Sequence, residues 1–277
     1  MENKKRKKRY RIHPRAYLFL GILIILIIGL IWTLKGCFND APADAPEGNA
    51  AVPKIPIQLE ADGQTPVPPA AVIPGTEAHY ETAVMITNPA DIDCIVNRKY
   101  NLSGDYTPSD LVTVSVSFAP GRTEDVQQMR QEASQALLKL FEAAHDAGYT
   151  LYGASGYRSY NVQKILFMKN MENAGSVEEA NRLTALPGQS EHQLGLAMDI
   201  AIESMNFRLD ESFGETPEGK WLAENCWKHG FIIRYPKEKT QITGYSYEPW
   251  HIRYVGTELA EYLGEKGLTL EEYYGVK

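Results

Sequence analysis

Hydrophobic and polar positions form several distinct patterns along the chain, and the first is a long uninterrupted apolar run. Ala16 to Leu34 are 19 consecutive residues without a charged side chain. At about 1.5 Å per residue, a helix of this length crosses most of a hydrocarbon core roughly 30 Å thick. The pattern therefore predicts one transmembrane helix over 16–34.

A second set of patterns begins near residue 80, where helical and strand periodicities follow one another. Apolar residues recur every three to four positions from Val126 to Ala144, which predicts a long helix that starts at the cap Thr123 and ends before Gly148. Alternation of apolar and polar residues over 111–118 predicts a half-buried strand or an extended arm.

The remaining elements of this region are short and interleaved. Strands are expected over 149–155, 194–203, 231–235 and 247–255. Helices are expected over 160–173 after the cap Ser159, after the caps Ser176, Thr216 and Thr269, and following Thr257. In the strand over 194–203, Leu196, Met198, Ile200 and Ile202 are expected to face the core. This order predicts an α+β fold with a small, mainly antiparallel sheet flanked by helices.

Charge gives the predicted membrane helix an orientation. The first 15 residues contain eight basic side chains and one glutamate. Because positive flanks remain on the cytoplasmic side, we expect a single-pass membrane protein with its N-terminus in the cytoplasm and the rest outside.

Composition divides the rest of the chain into a linker and a domain. Pro, Ala, Gly and acidic residues dominate from Asn39 to about Thr76, so this segment lacks the large apolar side chains that a core needs. The predicted organisation is a basic cytoplasmic tail over 1–15, a transmembrane helix over 16–34, an extracytoplasmic Pro/Ala-rich linker over 35–79 and a catalytic domain over 80–277.

Net charge argues against a nucleic-acid partner, and cysteine content argues against a disulfide framework. The whole chain carries −7, the first 15 residues contribute +7 and Lys35 contributes +1, so residues 36–277 carry −15. Nucleic acid is therefore not an expected partner. Three cysteines cannot form a disulfide framework. Lipidation of Cys37 and pairing of Cys94 with Cys226 stay open.

Two short segments supply groups with the chemistry of a catalytic zinc site. They contain His192 and Asp199 in one case and Glu248 and His251 in the other. Seven residues separate His192 from Asp199, so both reach one ion only if His192 lies in the loop before the strand. Pro249 disfavours a regular strand start, which predicts a tight turn that aims Glu248 and His251 into one cavity.

Electrostatics suggests a role for each group. His192, Asp199 and His251 are the expected ligands of Zn²⁺, and Glu248 is the expected general base. Arg158, next to a helix start, is suited to bind a developing oxyanion or a carboxylate of the substrate.

The same residues carry a family resemblance. Three segments, Ser155-Gly156-Tyr157-Arg158-Ser159 with Gln163, Pro187 to Asp199, and Glu248-Pro249-Trp250-His251 with Arg253-Tyr254, resemble the successive motifs of the VanY-like zinc carboxypeptidases. These bacterial enzymes remove the C-terminal D-alanine from peptidoglycan stem peptides. The resemblance covers about residues 110–262 and does not include the N-terminal segments.

The resemblance implies a function and a set of site residues. It implies that His192, Asp199 and His251 bind zinc, that Glu248 is the catalytic base, and that the partner is a peptidoglycan stem peptide. It also implies that Arg158, Gln163, Ser190 and Tyr235 line the pocket for the terminal D-alanine and its carboxylate.

Several activities remain compatible with these residues. The first expectation is a D,D-carboxypeptidase, and an L,D-carboxypeptidase acting on tetrapeptide stems is a close second. A peptidoglycan-binding domain without catalysis and an endolysin-like endopeptidase are further alternatives. Neither the substrate preference nor the oligomeric state follows from the sequence.

Overall fold

Helices and short strands alternate along residues 73–276, which are the residues that the computed structural model describes. The strands are β1 (Val84–Met85), β2 (Tyr100–Asn101), β3 (Leu111–Thr113), β4 (Gln128–Arg130), β5 (Tyr152–Ser155), β6 (Ala197–Ala201), β7 (Phe231–Tyr235) and β8 (Glu248–Tyr254). The helices are α1 (Glu77–Glu81), α2 (Gln131–Asp146), α3 (Tyr160–Ala174), α4 (Val177–Leu183), α5 (Pro217–Asn225), α6 (Thr240–Thr243), α7 (Thr257–Lys266) and α8 (Leu270–Tyr274). Short 3₁₀ helices connect several of them.

The central sheet has the strand order β5-β6-β8-β7, and each neighbouring pair is antiparallel. Two smaller two-stranded sheets pair β1 with β2 in parallel and β3 with β4 antiparallel. The predicted α+β fold with a small, mainly antiparallel sheet flanked by helices is therefore confirmed.

The main core lies on one face of the central sheet. Leu196, Met198, Ile200 and Ile202 are almost fully buried and share this core with Leu137, Leu140 and other apolar residues of α2. This confirms the face that the alternation in β6 predicted. Asp199 points to the other face, where polar groups are gathered.

The start of α2 differs from the prediction. The helix begins at Gln131 instead of following the cap Thr123, because residues 124–127 form a 3₁₀ turn and β4 comes next. β4 pairs with β3, and the Nε of Arg130 lies 2.9 Å from a carboxylate oxygen of Asp110. These non-local bonds outweigh the helical pattern of the segment.

The segment 111–118, predicted as a half-buried strand or an extended arm, is a strand only at its start. Only Leu111–Thr113 pairs as a strand, and Phe118 then forms an isolated bridge with Gly153 of β5. After residue 113 the chain therefore does not continue as a regular strand of a sheet.

Four predicted helix caps are confirmed by side-chain hydrogen bonds. Ser159 accepts from the backbone N–H of Val162, Ser176 from Glu179, Thr216 from Gly219, and Thr269 from Glu272 in a full capping box. Such caps satisfy backbone donors that the first turn leaves without partners.

Much of the predicted N-terminal organisation lies outside the described residues. This applies to the tail over 1–15, the membrane helix over 16–34 and the linker up to residue 72. The described end of the linker, 73–79, contains the buried Ile73 and Thr76 and the start of α1. Between residues 73 and 276, no helix has both the length and the apolar character that a membrane span requires.

Cys94 and Cys226 are free thiols buried in the main core. The question that the sequence left open is thus answered, since the two residues are not paired in the structure.

Candidate active site

One cleft of about 220 Å³ on the polar side of the central sheet contains all of the side chains that the sequence singled out. They are Arg158, Gln163, Ser190, His192, Asp199, Tyr235, Glu248 and His251. Trp250 and apolar residues of α3 and α4 complete the walls. The fold therefore brings together segments that are up to 93 residues apart in the chain (158 to 251).

Backbone pairing places two of the predicted ligands. Asp199 of β6 lies directly opposite His251 of β8 in the antiparallel ladder. His192 lies in a 3₁₀ helix over Glu191–Leu194, which ends at Gly195 with φ +66°. The odd separation of His192 and Asp199 is accommodated as predicted, because His192 precedes the strand.

The donor atoms of these three residues converge. His251 Nδ1 lies 3.0 Å from Oδ1 of Asp199, and His192 Nε2 lies 3.4 Å from Oδ2. One ligand atom from each residue falls within 4.8 Å of the others, and all three residues are buried. Two imidazole nitrogens and a carboxylate oxygen form a donor set that suits Zn²⁺ and leaves a fourth position open.

A backbone carbonyl fixes the ring of His192. Nδ1 lies 2.7 Å from the carbonyl oxygen of Gly156, so it donates its hydrogen there and Nε2 presents its lone pair to the cluster. Gly156 is required at this position because a Cβ atom would lie 2.4 Å from the carbonyl oxygen of Gln128.

Glu248 reaches the cleft by a route that the sequence did not predict. The expected tight turn at Pro249 is wrong, because β8 begins at Glu248 and continues through the proline. Tyr235 pairs with Glu248 and Ile233 with Ile252, so β8 uses more residues than β7 over this stretch. The irregular register turns both Glu248 and His251 toward the cleft.

Electrostatics differs among the three predicted ligands. Burial and the nearby Arg158 lower the pKa of His192 to about 4, so this imidazole is neutral at pH 7. Burial alone would lower the pKa of His251, but Asp199 and Glu191 raise it to about 9. Burial disfavours a charge on Asp199, yet the two imidazoles hold the pKa of its carboxyl well below the usual range.

Glu248 and Tyr235 show the effect of burial most clearly. Burial and the charge of Asp199 raise the pKa of Glu248 to about 7, against the opposing effect of His251. This value suits a group that accepts and returns a proton near neutral pH. Burial and the charge of Glu191 raise the pKa of Tyr235 well above its ordinary value, so its hydroxyl remains a donor.

Arg158 follows strand β5 and lines the cleft. Its Nη1 donates to Oε1 of Gln163 at 2.9 Å, and Nε2 of Gln163 donates to the carbonyl of Ala185 at 2.6 Å. Gln163 thus links Arg158 to the segment after α4. Ser190 lies on the same cleft, and the ring centroid of Tyr235 is 5.1 Å from that of His251.

Sequence reasoning missed Glu191, which neighbours His192 and also lines the cleft. Its carboxylate accepts hydrogen bonds from Arg234 and Arg253 at 2.8 and 2.7 Å. A signal was available, because Arg234 and Arg253 occupy strand positions next to apolar residues, where a buried cation needs an acidic partner.

Comparison with known proteins identifies the family of this chain. The family model described as "VanY: D-alanyl-D-alanine carboxypeptidase" matches residues 126–257. Putative carboxypeptidase YodJ of Bacillus subtilis (strain 168) is 49% identical over 189 residues, which are 68% of this chain and 69% of that protein. The chain belongs to the VanY carboxypeptidase family.

Solved structures of VanY-type enzymes share the fold. The LdcB LD-carboxypeptidase is 48% identical, with a TM-score of 0.67 over 70% of this chain and 91% of the other. A mutant of the vancomycin-resistance D,D-pentapeptidase VanY in complex with Zn(II) is 35% identical, with a TM-score of 0.55 over 66% and 98% of the two chains.

Proposed function

We propose that this VanY-family chain is a zinc-dependent D,D-carboxypeptidase that removes the C-terminal D-alanine from peptidoglycan stem peptides. The observation that carries this function is the convergence of His192, Asp199 and His251 in a cleft that also contains Glu248 and Arg158. A solved VanY relative that binds Zn(II) supports the choice of metal.

The donor set fits zinc. Two imidazoles and one carboxylate would hold the ion through His192 Nε2, His251 Nδ1 and Asp199, and His251 would give up a proton when the ion binds. When bound, zinc supplies Lewis acidity, which polarises a peptide carbonyl and makes water a better nucleophile.

Glu248 moves the proton in this proposed reaction. Its carboxylate takes a proton from the attacking water and then returns it to the nitrogen of the leaving D-alanine. The pKa of about 7 allows both steps, because the group changes protonation state readily near neutral pH. The carboxylate oxygen lies 3.9 Å from His251 Nδ1, close enough to serve the same reacting centre.

Arg158 recognises the free end of the substrate. A carboxypeptidase must bind a terminal carboxylate, and a guanidinium offers paired donors for it. Gln163 orients this guanidinium through the 2.9 Å hydrogen bond, and Ser190 and the protonated hydroxyl of Tyr235 add donors to the same cleft. These donors favour substrates that end at the cleft over longer chains.

A second candidate is an L,D-carboxypeptidase that acts on tetrapeptide stems. The specific observation in its favour is the LdcB LD-carboxypeptidase, which is 48% identical and has a TM-score of 0.67. The two activities share the metal, the base and the carboxylate donors, and differ in the stereochemistry of the residue before the scissile bond.

Membrane attachment belongs to the same function. The apolar run over 16–34 and its basic flank would place the catalytic domain on the outer face of the cytoplasmic membrane, where peptidoglycan lies. Fractionation of cells that express the full chain, compared with a variant that lacks residues 1–34, tests this. Equal recovery of both in the soluble fraction would reject the anchor.

Release of D-alanine from defined muropeptides tests the activity. The purified full-length chain is incubated with pentapeptide and tetrapeptide muropeptides, each with and without a zinc chelator. Release from the pentapeptide alone supports the D,D activity, and release from the tetrapeptide alone supports the L,D activity. Binding of muropeptides without release supports a non-catalytic domain, and release that is insensitive to the chelator rejects zinc.

A further inference from the structure

A buried ionic network lies directly behind His251. Oε1 of Glu191 accepts from Nε of Arg234 at 2.8 Å and from Nη1 of Arg253 at 2.7 Å, and all three side chains have 0% exposure. Arg234 also donates to both carboxylate oxygens of Glu271 in α8, at 2.9 and 2.6 Å. The two glutamates and two arginines balance in charge, which allows them to remain ionised inside the protein.

The second oxygen of Glu191 faces a ring nitrogen of His251. Oε2 of Glu191 and Nε2 of His251 are 3.6 Å apart. Both atoms are buried, and neither has a hydrogen-bond partner elsewhere among residues 73–276. A buried donor and a buried acceptor that face each other are complementary, and leaving each of them without a partner costs free energy.

This contact decides which nitrogen of His251 is available to a metal. The Glu191 carboxylate lies between two arginines and can only accept, so Nε2 must carry the hydrogen. On the other side of the ring, Nδ1 donates to a carboxylate oxygen of Asp199 at 3.0 Å, and it would give up this hydrogen to present its lone pair to an ion. Histidine ligands in metal sites are commonly fixed in this way by an acceptor on the other ring nitrogen.

We propose that Glu191 is a positioning residue for the metal centre. It holds the ring of His251 and its Nε2–H tautomer, so that Nδ1 faces the ion together with His192 and Asp199. This inference rests on the proposed metal site and adds a residue that does not touch the ion or the substrate.

Glu271 connects the buried ionic network to the C-terminal helix α8. The family model matches residues 126–257, so Glu271 lies beyond it. Through Arg234, this residue fixes the guanidinium that holds Glu191, and Nδ2 of Asn97 donates to Glu271 Oε1 at 3.1 Å. Glu271 does not contact His251, which makes it a suitable control.

The test compares Glu191→Gln with Glu271→Gln in the full-length chain. Each substitution removes one buried negative charge next to Arg234, but only the first changes the group that faces His251. Zinc affinity is measured by competition with a chelator of known affinity, and the thermal midpoint is measured without metal. We expect zinc affinity to fall about 10- to 100-fold in Glu191→Gln and to change less than about threefold in Glu271→Gln.

A spectroscopic measurement separates positioning from stability. In the zinc-loaded wild-type chain, the Nε2–H proton of His251 should resonate downfield, as expected of a hydrogen bond to a carboxylate. This resonance should move upfield in Glu191→Gln and remain in Glu271→Gln. A merely structural role would lower the thermal midpoint of both variants without moving this resonance.

Glu191→Asp keeps the test decisive if Glu191→Gln does not fold. It preserves the negative charge between the arginines but draws the carboxylate back from His251. Loss of zinc affinity in this variant supports the inference, and wild-type affinity overturns it. Equal loss in Glu191→Gln and Glu271→Gln also overturns it. A wild-type chain that binds no zinc rejects the metal centre itself, whereas normal zinc binding by all variants rejects only the role of Glu191.

Discussion

Asp199 and His251 are directly opposed on the neighbouring strands β6 and β8, and a carboxylate oxygen of one lies 3.0 Å from Nδ1 of the other. His192 joins them from the preceding 3₁₀ helix.

The first prediction concerns these three residues. Asp199→Ala and His192→Ala should each lose zinc, because two remaining ligands bind the ion far more weakly. Metal analysis after dialysis checks this, with the exposed His145→Ala as control. Full zinc occupancy in both variants would contradict the assignment.

Glu248→Gln should retain zinc and lose most of its activity. The amide has nearly the shape of the carboxylate but cannot accept the proton, so turnover should fall about 10²- to 10⁴-fold. D-Alanine release and metal content are measured on the same sample. Loss of zinc in this variant would show that Glu248 is a ligand and not a base.

The acidic side of the pH–rate profile should reflect Glu248. The protein groups raise the pKa of this residue to about 7, and a bound cation would lower it. Only the carboxylate accepts a proton, so kcat/KM should fall as the pH drops below a midpoint at or below about 7. Measurement from pH 5 to pH 9 checks the direction. Activity that increases on acidification from pH 8 to pH 6 would contradict the role of base.

Gly156→Ala should destabilise both the fold and the metal site. The new Cβ would lie 2.4 Å from the carbonyl oxygen of Gln128 and 3.0 Å from Cε of Met198. The backbone must shift, which moves the carbonyl that orients His192 and costs about 1–3 kcal/mol of unfolding free energy. Gly104→Ala is the matched control, since its Cβ would meet only ordinary contacts at 3.7 Å. Equal denaturation midpoints and zinc affinities for the two variants would refute this account.

Cys94 and Cys226 should resist thiol reagents in the native protein. Burial raises the pKa of each thiol to about 12, so very little thiolate is present at pH 8. In a Cys37→Ser background, a disulfide reagent should react slowly with the folded chain and quickly in denaturant. Rapid stoichiometric labelling under native conditions would contradict the burial of both residues.

Local sequence patterns predicted the elements whose stability is local. The helix after the cap Ser159 and the strand over 231–235 appear where the sequence predicted them. The start of α2 could not be predicted, because β4 is held by pairing with β3, which is distant in the chain and invisible in the pattern of 124–130. Propensity gives way to such non-local pairing.

The residues of the candidate site were predicted more fully than the contacts that hold them in place. Residue type and spacing singled out His192, Asp199, Glu248 and His251, and the structure brings them together in one cleft. The irregular pairing that turns Glu248 inward and the pairing of Glu191 with two arginines both depend on contacts between strands. A single sequence shows neither, since neither follows a local period.

The opposition of Asp199 and His251 also determines how the chain would acquire its ion. Hydrogen bonds between β6 and β8 bring these two side chains to ligating distance as soon as the sheet forms, before any ion arrives. A zinc ion would then bind to a site that is already formed in the folded protein. Small metal-binding domains differ, because they fold only around their ion. We therefore expect reversible exchange of zinc for cobalt in the native protein, with an unchanged far-ultraviolet circular dichroism spectrum throughout.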